Sequence, residues 1–459
     1  MAKPNIVFIL IDDLGWKDLS CYGSEFYETP NLDRLASQGM SFTDAYAACP
    51  VCSPTRASIM SGKYPARVGV TNYIAGEERG KVISAPYTKY LPLSEKTVAS
   101  ALRDGGYRTW HVGKWHLGDS PYWPEKHGFD VNIGGCDMGM PRHGYFSPWK
   151  IPTLPDGPEG YYLTDRLTDE AVSLIRNNDG RPFFLNMWYY SVHIPIQAKQ
   201  QNIERFEQKA KQMGLDKLKT FEEGEFFPCL HKKDQRVTRR LVQSDAAYAA
   251  MIWSLDENIG RLLNALDETG QADNTLVIFT SDNGGLATAE SSPTCNAPLA
   301  EGKGWMYDGG TREPLIARWP GQIEPGSRCT EPMTSPDFYP TLLEAAGLDP
   351  LPQQHCDGVS IMPLLTGRGT PERDAIYWHY PHYGNQGGTP GCSMRMGDYK
   401  LIEFFEDGRL ELYNLREDIS EDHDLAGERP ELVREMQGML ARWRESVDAK
   451  IPQPNPEWK

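Results

Sequence analysis

No stretch of this sequence stays apolar for the roughly 20 residues that a membrane-spanning helix needs, so a helical bilayer-crossing protein is excluded. The nine cysteines are odd in number and show no close pairing pattern, which argues against a disulfide-stapled scaffold. No Cys/His cluster carries zinc spacing. Basic charge is in deficit: 47 Lys and Arg stand against 63 Asp and Glu, a formal net charge of −16. That balance argues against nucleic acid and anionic membranes as partners, and against long polyanionic chains as substrates. A small or end-presented anion, captured by a local basic pocket, suits it better. There is no internal repeat. Nor is there a leader-like apolar segment, because Met1-Ala2-Lys3-Pro4 runs straight into a strand, Asn5–Ile11, that ends in two aspartates. The expected location is cytoplasmic, a leader upstream of this sequence being the alternative.

What remains is a chain of 459 residues, 39% hydrophobic and 24% charged, enough for one large α/β domain and a smaller one. Asn5–Ile11 is a near-continuous apolar run, as expected for a strand buried on both faces. Beyond it, helical patterns (30–38, 97–104, 163–177, 245–268, 335–347) alternate with short apolar runs (107–112, 183–189, 275–280, 315–319). This order predicts an α/β fold: a large, mostly parallel or mixed central sheet sandwiched by helices. From Ala375 the rhythm changes to short strands and a last helix over 430–447, predicting a smaller C-terminal antiparallel sheet with a terminal helix. The expected domains are 1–369 and 370–459. Residues 200–240, rich in Lys, Glu and Gln, are expected to form an inserted helical arm or lid.

The chemistry clusters where strands end, which is where open α/β sheets gather ligands. Asp12 and Asp13 follow the first strand, and Asp282 and Asn283 follow the run 275–281. Each pair alone is ordinary turn chemistry. Together, behind two buried strands, they offer hard oxygen donors that select Ca²⁺ or Mg²⁺. Lys114 and His116 follow another strand and could reach one anion, or could simply decorate a surface loop. Cys52 stands ahead of Ser53-Pro54-Thr55-Arg56, a plausible helix start. There a helix dipole and Arg56 favour an anion, whether a thiolate or a bound oxyanion, although a buried structural cysteine is the plainer alternative.

The run from Cys52 to Arg56, continued by Ser61-Gly62-Lys63-Tyr64-Pro65, resembles the signature of the type I, formylglycine-dependent sulfatases of the alkaline-phosphatase-like superfamily. Further segments are similar to that family: Ile11-Asp12-Asp13-Leu14-Gly15, Gly113-Lys114-Trp115-His116-Leu117-Gly118, Ser281-Asp282-Asn283-Gly284-Gly285, Gly309-Gly310-Thr311-Arg312-Glu313-Pro314 and Leu412-Tyr413-Asn414-Leu415. His193 in Ser191-Val192-His193-Ile194-Pro195 resembles the second family histidine, and Lys303 the second sulfate-binding lysine. Two departures, Ala300-Glu301 ahead of Lys303 and His423 in the tail, lie away from the chemistry. The resemblance implies that a maturation enzyme oxidises Cys52 to Cα-formylglycine. It implies Ca²⁺, or Mg²⁺, on Asp12, Asp13, Asp282 and Asn283, with residue 52 facing the metal. Arg56 steadies its ionised hydroxyl, Lys114 and Lys303 bind sulfate, His193 protonates the leaving oxygen and His116 assists elimination.

A sulfate ester spreads negative charge that lysines and a divalent cation stabilise, while a histidine protonates the leaving alcohol. The expected activity is therefore sulfate-ester hydrolysis. A phosphomonoester or phosphonate hydrolase on the same scaffold is one alternative, and a non-catalytic calcium-dependent binder of sulfated glycans another. Two loops could grip a sugar: Trp378–Gly388, with His379, His382 and nearby Arg395, and Gly134–His143, with Asp137, Arg142 and His143. The expected substrate is a sulfated mono- or disaccharide, of galactose or N-acetylgalactosamine type, attacked from its end.

Overall fold

The computed structural model describes residues 3–458. Its centre is a nine-stranded sheet. Eight strands follow the order Ser327–Cys329, Met40–Tyr46, Arg312–Arg318, Thr275–Ser281, Asn5–Ile11, Phe183–Trp188, Arg108–Gly113, Val131–Ile133, and Met333–Thr334 pairs beside Met40–Tyr46. Among the described residues, only Arg312–Arg318 runs antiparallel to its neighbours in this sheet. Strand Asn5–Ile11 is buried at every position. Its alternate side chains serve two cores, as a pleated strand covered on both faces must. Val7, Ile9 and Ile11 pack with Leu255 and Leu262 of the helix Ala246–Glu268, while Ile6, Phe8 and Leu10 pack with Phe338 and Leu342 of the helix Phe338–Ala345. Helix starts use local caps: Asp245 accepts from the Tyr248 N–H and Thr97 from that of Ser100.

The second sheet is a four-stranded antiparallel meander, Ile376–Tyr380, Gly391–Met396, Tyr399–Phe404 and Leu410–Asn414. One face packs on the terminal helix Pro430–Ser446 through Cys392, Met394, Leu401 and Leu412 against Val433, Met436 and Leu440. Its other face packs on the segment that leaves the nine-stranded sheet at Tyr46. Ile376, Trp378, Tyr380 and Ile402 pack against Tyr46, Cys49 and Val51, and the Trp378 indole N–H donates to the Ala47 carbonyl at 2.8 Å. The small sheet thus buttresses the segment that leads into Cys52.

Among the strands that escape the sequence pattern are two long ones inside the sheets. Met40–Tyr46 carries polar Ser41, Thr43 and Asp44, and Gly391–Met396 follows a Gly/Pro-rich run; each is held by strand pairing on both sides. The segment 200–240 is only half helical. Gln200–Gln212 is a helix whose Phe206 enters the main core, but Phe221–Phe226 and Arg236–Arg240 form a two-stranded antiparallel ribbon. Arg239 anchors that ribbon on Glu301.

Candidate active site

Four parallel strands end together and deliver the site. Register places Ile11 opposite Ser281, so Asp12 and Asp282 leave the sheet side by side, and the Asp282 N–H donates to the Ile11 carbonyl at 3.0 Å. Asp13 then turns into the left-handed region (φ +63), which breaks the strand and lets two adjacent carboxylates face one crevice. On the other flank Gly113 aligns with Trp188, and the Lys114 N–H donates to the Trp188 carbonyl at 2.7 Å. Gly113 has φ +107, and a Cβ there would lie 1.9 Å from the Trp188 oxygen, so glycine is required for this close approach.

Cys52 is itself the first residue of the helix Cys52–Ser61, two positions earlier than a Ser53 cap requires. The Ser53 hydroxyl instead donates to the His116 carbonyl at 2.9 Å and accepts from the Ile74 N–H at 3.2 Å. Arg56, one turn on, is wholly buried. Its Nε and one terminal nitrogen reach Asp282 Oδ2 at 2.8 and 2.7 Å, and its other terminal nitrogen donates to the Lys114 carbonyl at 3.1 Å. The guanidinium also lies over the Trp188 ring, 5.1 Å from its centroid. Lys114 Nζ meets Asp12 Oδ2 at 2.6 Å, and Lys303 Nζ meets Asp13 Oδ2 at 2.8 Å.

Three buried carboxylates, Asp12, Asp13 and Asp282, are thus matched by Arg56, Lys114 and Lys303. The oxygens converge as a hard-metal site requires. Asp12, Asp282 and Cys52 offer donor atoms all within 4.8 Å of one another. Asn283 Nδ2 donates to Asp13 Oδ1 at 2.8 Å, and both Asn283 Oδ1 and Asp12 Oδ1 are buried without a hydrogen-bond partner. Unpartnered buried carbonyl and carboxylate oxygens beside two further acids fit an oxygen-seeking divalent cation. Such an ion would take a charge-balanced cluster to net positive, the sign needed to receive an anionic ester.

The two histidines flank this cluster. His116 (φ +54) sets Nδ1 3.4 Å from the Cys52 sulfur, and Nε2 is 3.3 Å from the Ile74 carbonyl. The Ile74 oxygen can only accept, so Nε2 carries the proton and Nδ1 is left as an acceptor facing residue 52. Gly139 packs over this imidazole, and a Cβ there would lie 2.5 Å from the ring. His193 Nδ1 donates to the Ile194 carbonyl at 2.9 Å, with Nε2 3.6 Å from Asp13 Oδ2. Burial, then the charge of Lys303, holds His193 down at about 4. Burial, reinforced by Lys114 and Arg56, keeps His116 well below the usual imidazole range. Burial also outweighs Lys114 at Cys52 and pushes its thiol up, against the thiolate that the helix start alone would favour.

Cys52, His116, His193 and Lys303 line a cavity of about 670 Å³. Its wall includes Asp137 and Arg142, both expected to line it, but His143 lies exposed outside it. The other three expected sugar contacts are elsewhere. His379 is 3% exposed, with Nε2 on the Lys450 carbonyl at 2.9 Å, and His382 is fully buried against the Thr71 hydroxyl at 2.8 Å. Arg395 sits in the second sheet and pairs with Asp44 and the Tyr46 hydroxyl, both at 2.6 Å. The aromatic run 378–383 packs as core because it begins as a strand, and only its continuation, Asn385 and Gln386, reaches the cavity. None of the cavity-lining residues comes from 200–240. Sequence reasoning passed over Tyr73, Tyr90, Tyr122 and Glu290, which line the cavity from loops and, for Tyr122, from the single 3-10 turn Ser120–Tyr122, without periodic signal. Nearness of Asn385 and Gln386 to the aromatic run was the one available clue.

Comparison with known proteins agrees with this geometry. A profile of the Sulfatase family matches residues 4–348, and one described as N-sulphoglucosamine sulphohydrolase, C-terminal, matches 301–446, across the junction of the two sheets. Arylsulfatase A of Homo sapiens is 31% identical over 98% of this chain and 89% of its own length. N-acetylgalactosamine-6-sulfatase of Sus scrofa is 33% identical over 86% of this chain and 71% of its own. The solved structure of Ps i-CgsB in complex with k-i-k-neocarrahexaose superposes with a TM-score of 0.76 at 31% identity, covering 99% of this chain and 94% of that one. With the strand-end cluster in place and the profile spanning residues 4–348, this chain belongs to the sulfatase family and is a sulfuric ester hydrolase.

Proposed function

We propose that the protein removes sulfate from the end of a small sulfated sugar, a mono- or disaccharide, after a formylglycine-generating enzyme has matured Cys52. The carrying observation is the convergence of Cys52, His116, His193, Lys303 and the oxygen cluster at one cavity of about 670 Å³, a volume suited to a small ligand. As Cα-formylglycine, residue 52 would supply a hydrated aldehyde, one hydroxyl for attack on sulfur and a second whose ionisation releases sulfate. Asp12, Asp13, Asp282 and Asn283 would hold a divalent cation, Ca²⁺ first and Mg²⁺ second, that supplies positive charge to the sulfate oxygens.

The chain's own groups divide the remaining work. Lys303, on the cavity wall, and Lys114, behind Asp12, hold positive charge toward the equatorial oxygens. Arg56 fixes Asp282 and stabilises negative charge at residue 52. His116 Nδ1, already an acceptor 3.4 Å from residue 52, takes the proton there. His193 opens into the same cavity as the acid for the departing sugar oxygen, a role that requires the negative charge of the bound ester to bring a proton onto Nε2, since Nδ1 is committed to the Ile194 carbonyl. A galactose or N-acetylgalactosamine sulfate is the substrate to try first, because relatives carry the names N-acetylgalactosamine-6-sulfatase and a neocarrahexaose complex.

The test combines mass and turnover. Protein produced with a maturation enzyme should show the mass loss of thiol-to-aldehyde conversion at residue 52 and release sulfate from monosulfated galactose or N-acetylgalactosamine. Cys52→Ala should remain folded and lose essentially all turnover. An alanine variant that keeps its rate would falsify the mechanism. A second essential metal found by elemental analysis would point to phosphomonoester hydrolysis instead.

A further inference from the structure

The cavity has a side that the sulfate chemistry does not use. Gln386 is 4% exposed, and its Nε2 donates to Glu290 Oε2 at 2.8 Å. A carboxylate accepts only, so this contact fixes which end of the amide faces Glu290. The amide's Oε1 is left buried without a partner. Room for it depends on Gly304 (φ +83), where a Cβ would lie 2.5 Å from that oxygen. A buried amide that leaves its own carbonyl unsatisfied while it steadies a cavity-lining carboxylate marks a built position rather than a surface accident. Next to it Asn385 Nδ2 donates to the Tyr73 hydroxyl at 3.0 Å, and that hydroxyl donates to Glu78 Oε1 at 2.8 Å. Elsewhere on the cavity wall Tyr90 and Tyr122 stack with centroids 4.0 Å apart and planes 13° apart, and Tyr90 is 38% exposed.

The cavity's charges outside the sulfate cluster are also spoken for. Lys89 is paired with Glu77, and Arg142 lies 3.4 Å from Asp137. Asp119 and Glu290 add negative charge to the same lining. Neither basic side chain there is free of a carboxylate, so a second sulfate or a uronic carboxylate on the substrate would meet like charge.

We propose that Glu290, held by Gln386, is the hydroxyl-reading residue for the leaving sugar, with the Tyr90–Tyr122 stack available to its apolar face. Together with the paired rim it selects a sugar carrying one sulfate and no other negative charge. Glu290 accepts hydrogen bonds from sugar hydroxyls, and an aromatic stack receives C–H faces; both demands match an otherwise neutral hexose or N-acetylhexosamine. Gln386 acts through Glu290 as a positioning residue. The inference rests on the sulfatase reading of the site given above.

The experiment uses matured enzyme, with kcat and KM measured on three probes: an aryl sulfate without hydroxyls, a monosulfated N-acetylgalactosamine, and the same sugar carrying a second sulfate. Wild type should prefer the monosulfated sugar to the disulfated one. Glu290→Ala should lose about tenfold more kcat/KM on the monosulfated sugar than on the aryl sulfate. Glu290→Gln keeps the volume and an oxygen for Gln386, so it serves should the alanine variant not fold. It should narrow the mono- to disulfated ratio about tenfold. Gln386→Ala should reproduce the Glu290→Ala pattern more weakly, mostly in KM. Equal losses on sugar and aryl sulfates, or an unchanged mono- to disulfated ratio in Glu290→Gln, overturns the proposal while leaving the sulfatase reading intact. Failure of the wild type on every sulfate would instead remove the reading on which it rests.

Discussion

At the scale of single residues, Arg56 shows how much one side chain is asked to do. Its nitrogens serve Asp282 and the Lys114 carbonyl while its plane covers Trp188, all without solvent contact. A lysine carries one ammonium on a flexible stem and cannot serve both oxygens. Arg56→Lys is therefore expected to lower stability by about 1–3 kcal/mol, the cost of a buried acceptor left unpaired. Denaturant unfolding measures this, and unchanged stability would show that the Lys114 carbonyl is satisfied another way. Turnover should fall by about a hundredfold in the same variant, because Asp282 would lose its fixed orientation.

Among elements, the segment entering the Cys52 helix depends on the second sheet. Trp378 is 1% exposed, packs edge-on to Tyr46 at 5.2 Å and donates to the Ala47 carbonyl. Trp378→Ala should cost about 3–5 kcal/mol through the cavity it leaves. It should also reduce kcat, since Val51 and Cys52 are supported from that side. Thermal unfolding and turnover would be read together: lost stability with full kcat would make the second sheet a passive support. The ribbon 221–240, by contrast, leans on Glu301 and stays out of the cavity, and sequence composition had suggested a lid there.

Over the whole molecule, several imidazoles are buried neutral away from the site. Burial holds His111 at about 3, His127 at about 4 and His379 at about 4. Each folded value lies below the ordinary value near 6.5, so the unfolded chain binds protons that the folded chain does not. Their stabilisation is complete above about pH 6.5 and is lost as pH falls toward 4. Each group contributes up to about 1.4 kcal/mol per pH unit in that window. Unfolding free energy measured from pH 7 to pH 4.5 should fall steeply, and His379→Gln should flatten the slope. A slope unchanged by that substitution would show that His379 is not buried neutral in solution.

Much of this protein was readable before folding was considered. Alternating apolar runs and helical patterns reveal a sandwiched, mostly parallel sheet, because a strand buried on both faces has to be apolar throughout. Asp12, Asp13, Cys52, Arg56, Lys114, His116 and Asp282 stand out because each occupies a short, dense motif at a strand end or helix start, whereas His193 and Lys303 were legible only through their resemblance to sulfatase segments. Tertiary structure decided which side chains share a face. His379, His382 and Arg395 look like sugar ligands in one dimension, yet strand pairing turns His379 and Arg395 toward Lys450 and Asp44, and the loop after the strand buries His382 against Thr71. Glu290, Gln386 and the Tyr90–Tyr122 stack have no pattern of their own. They meet only because loops from distant parts of the chain close on one cavity, and contacts of that range carry no local signature.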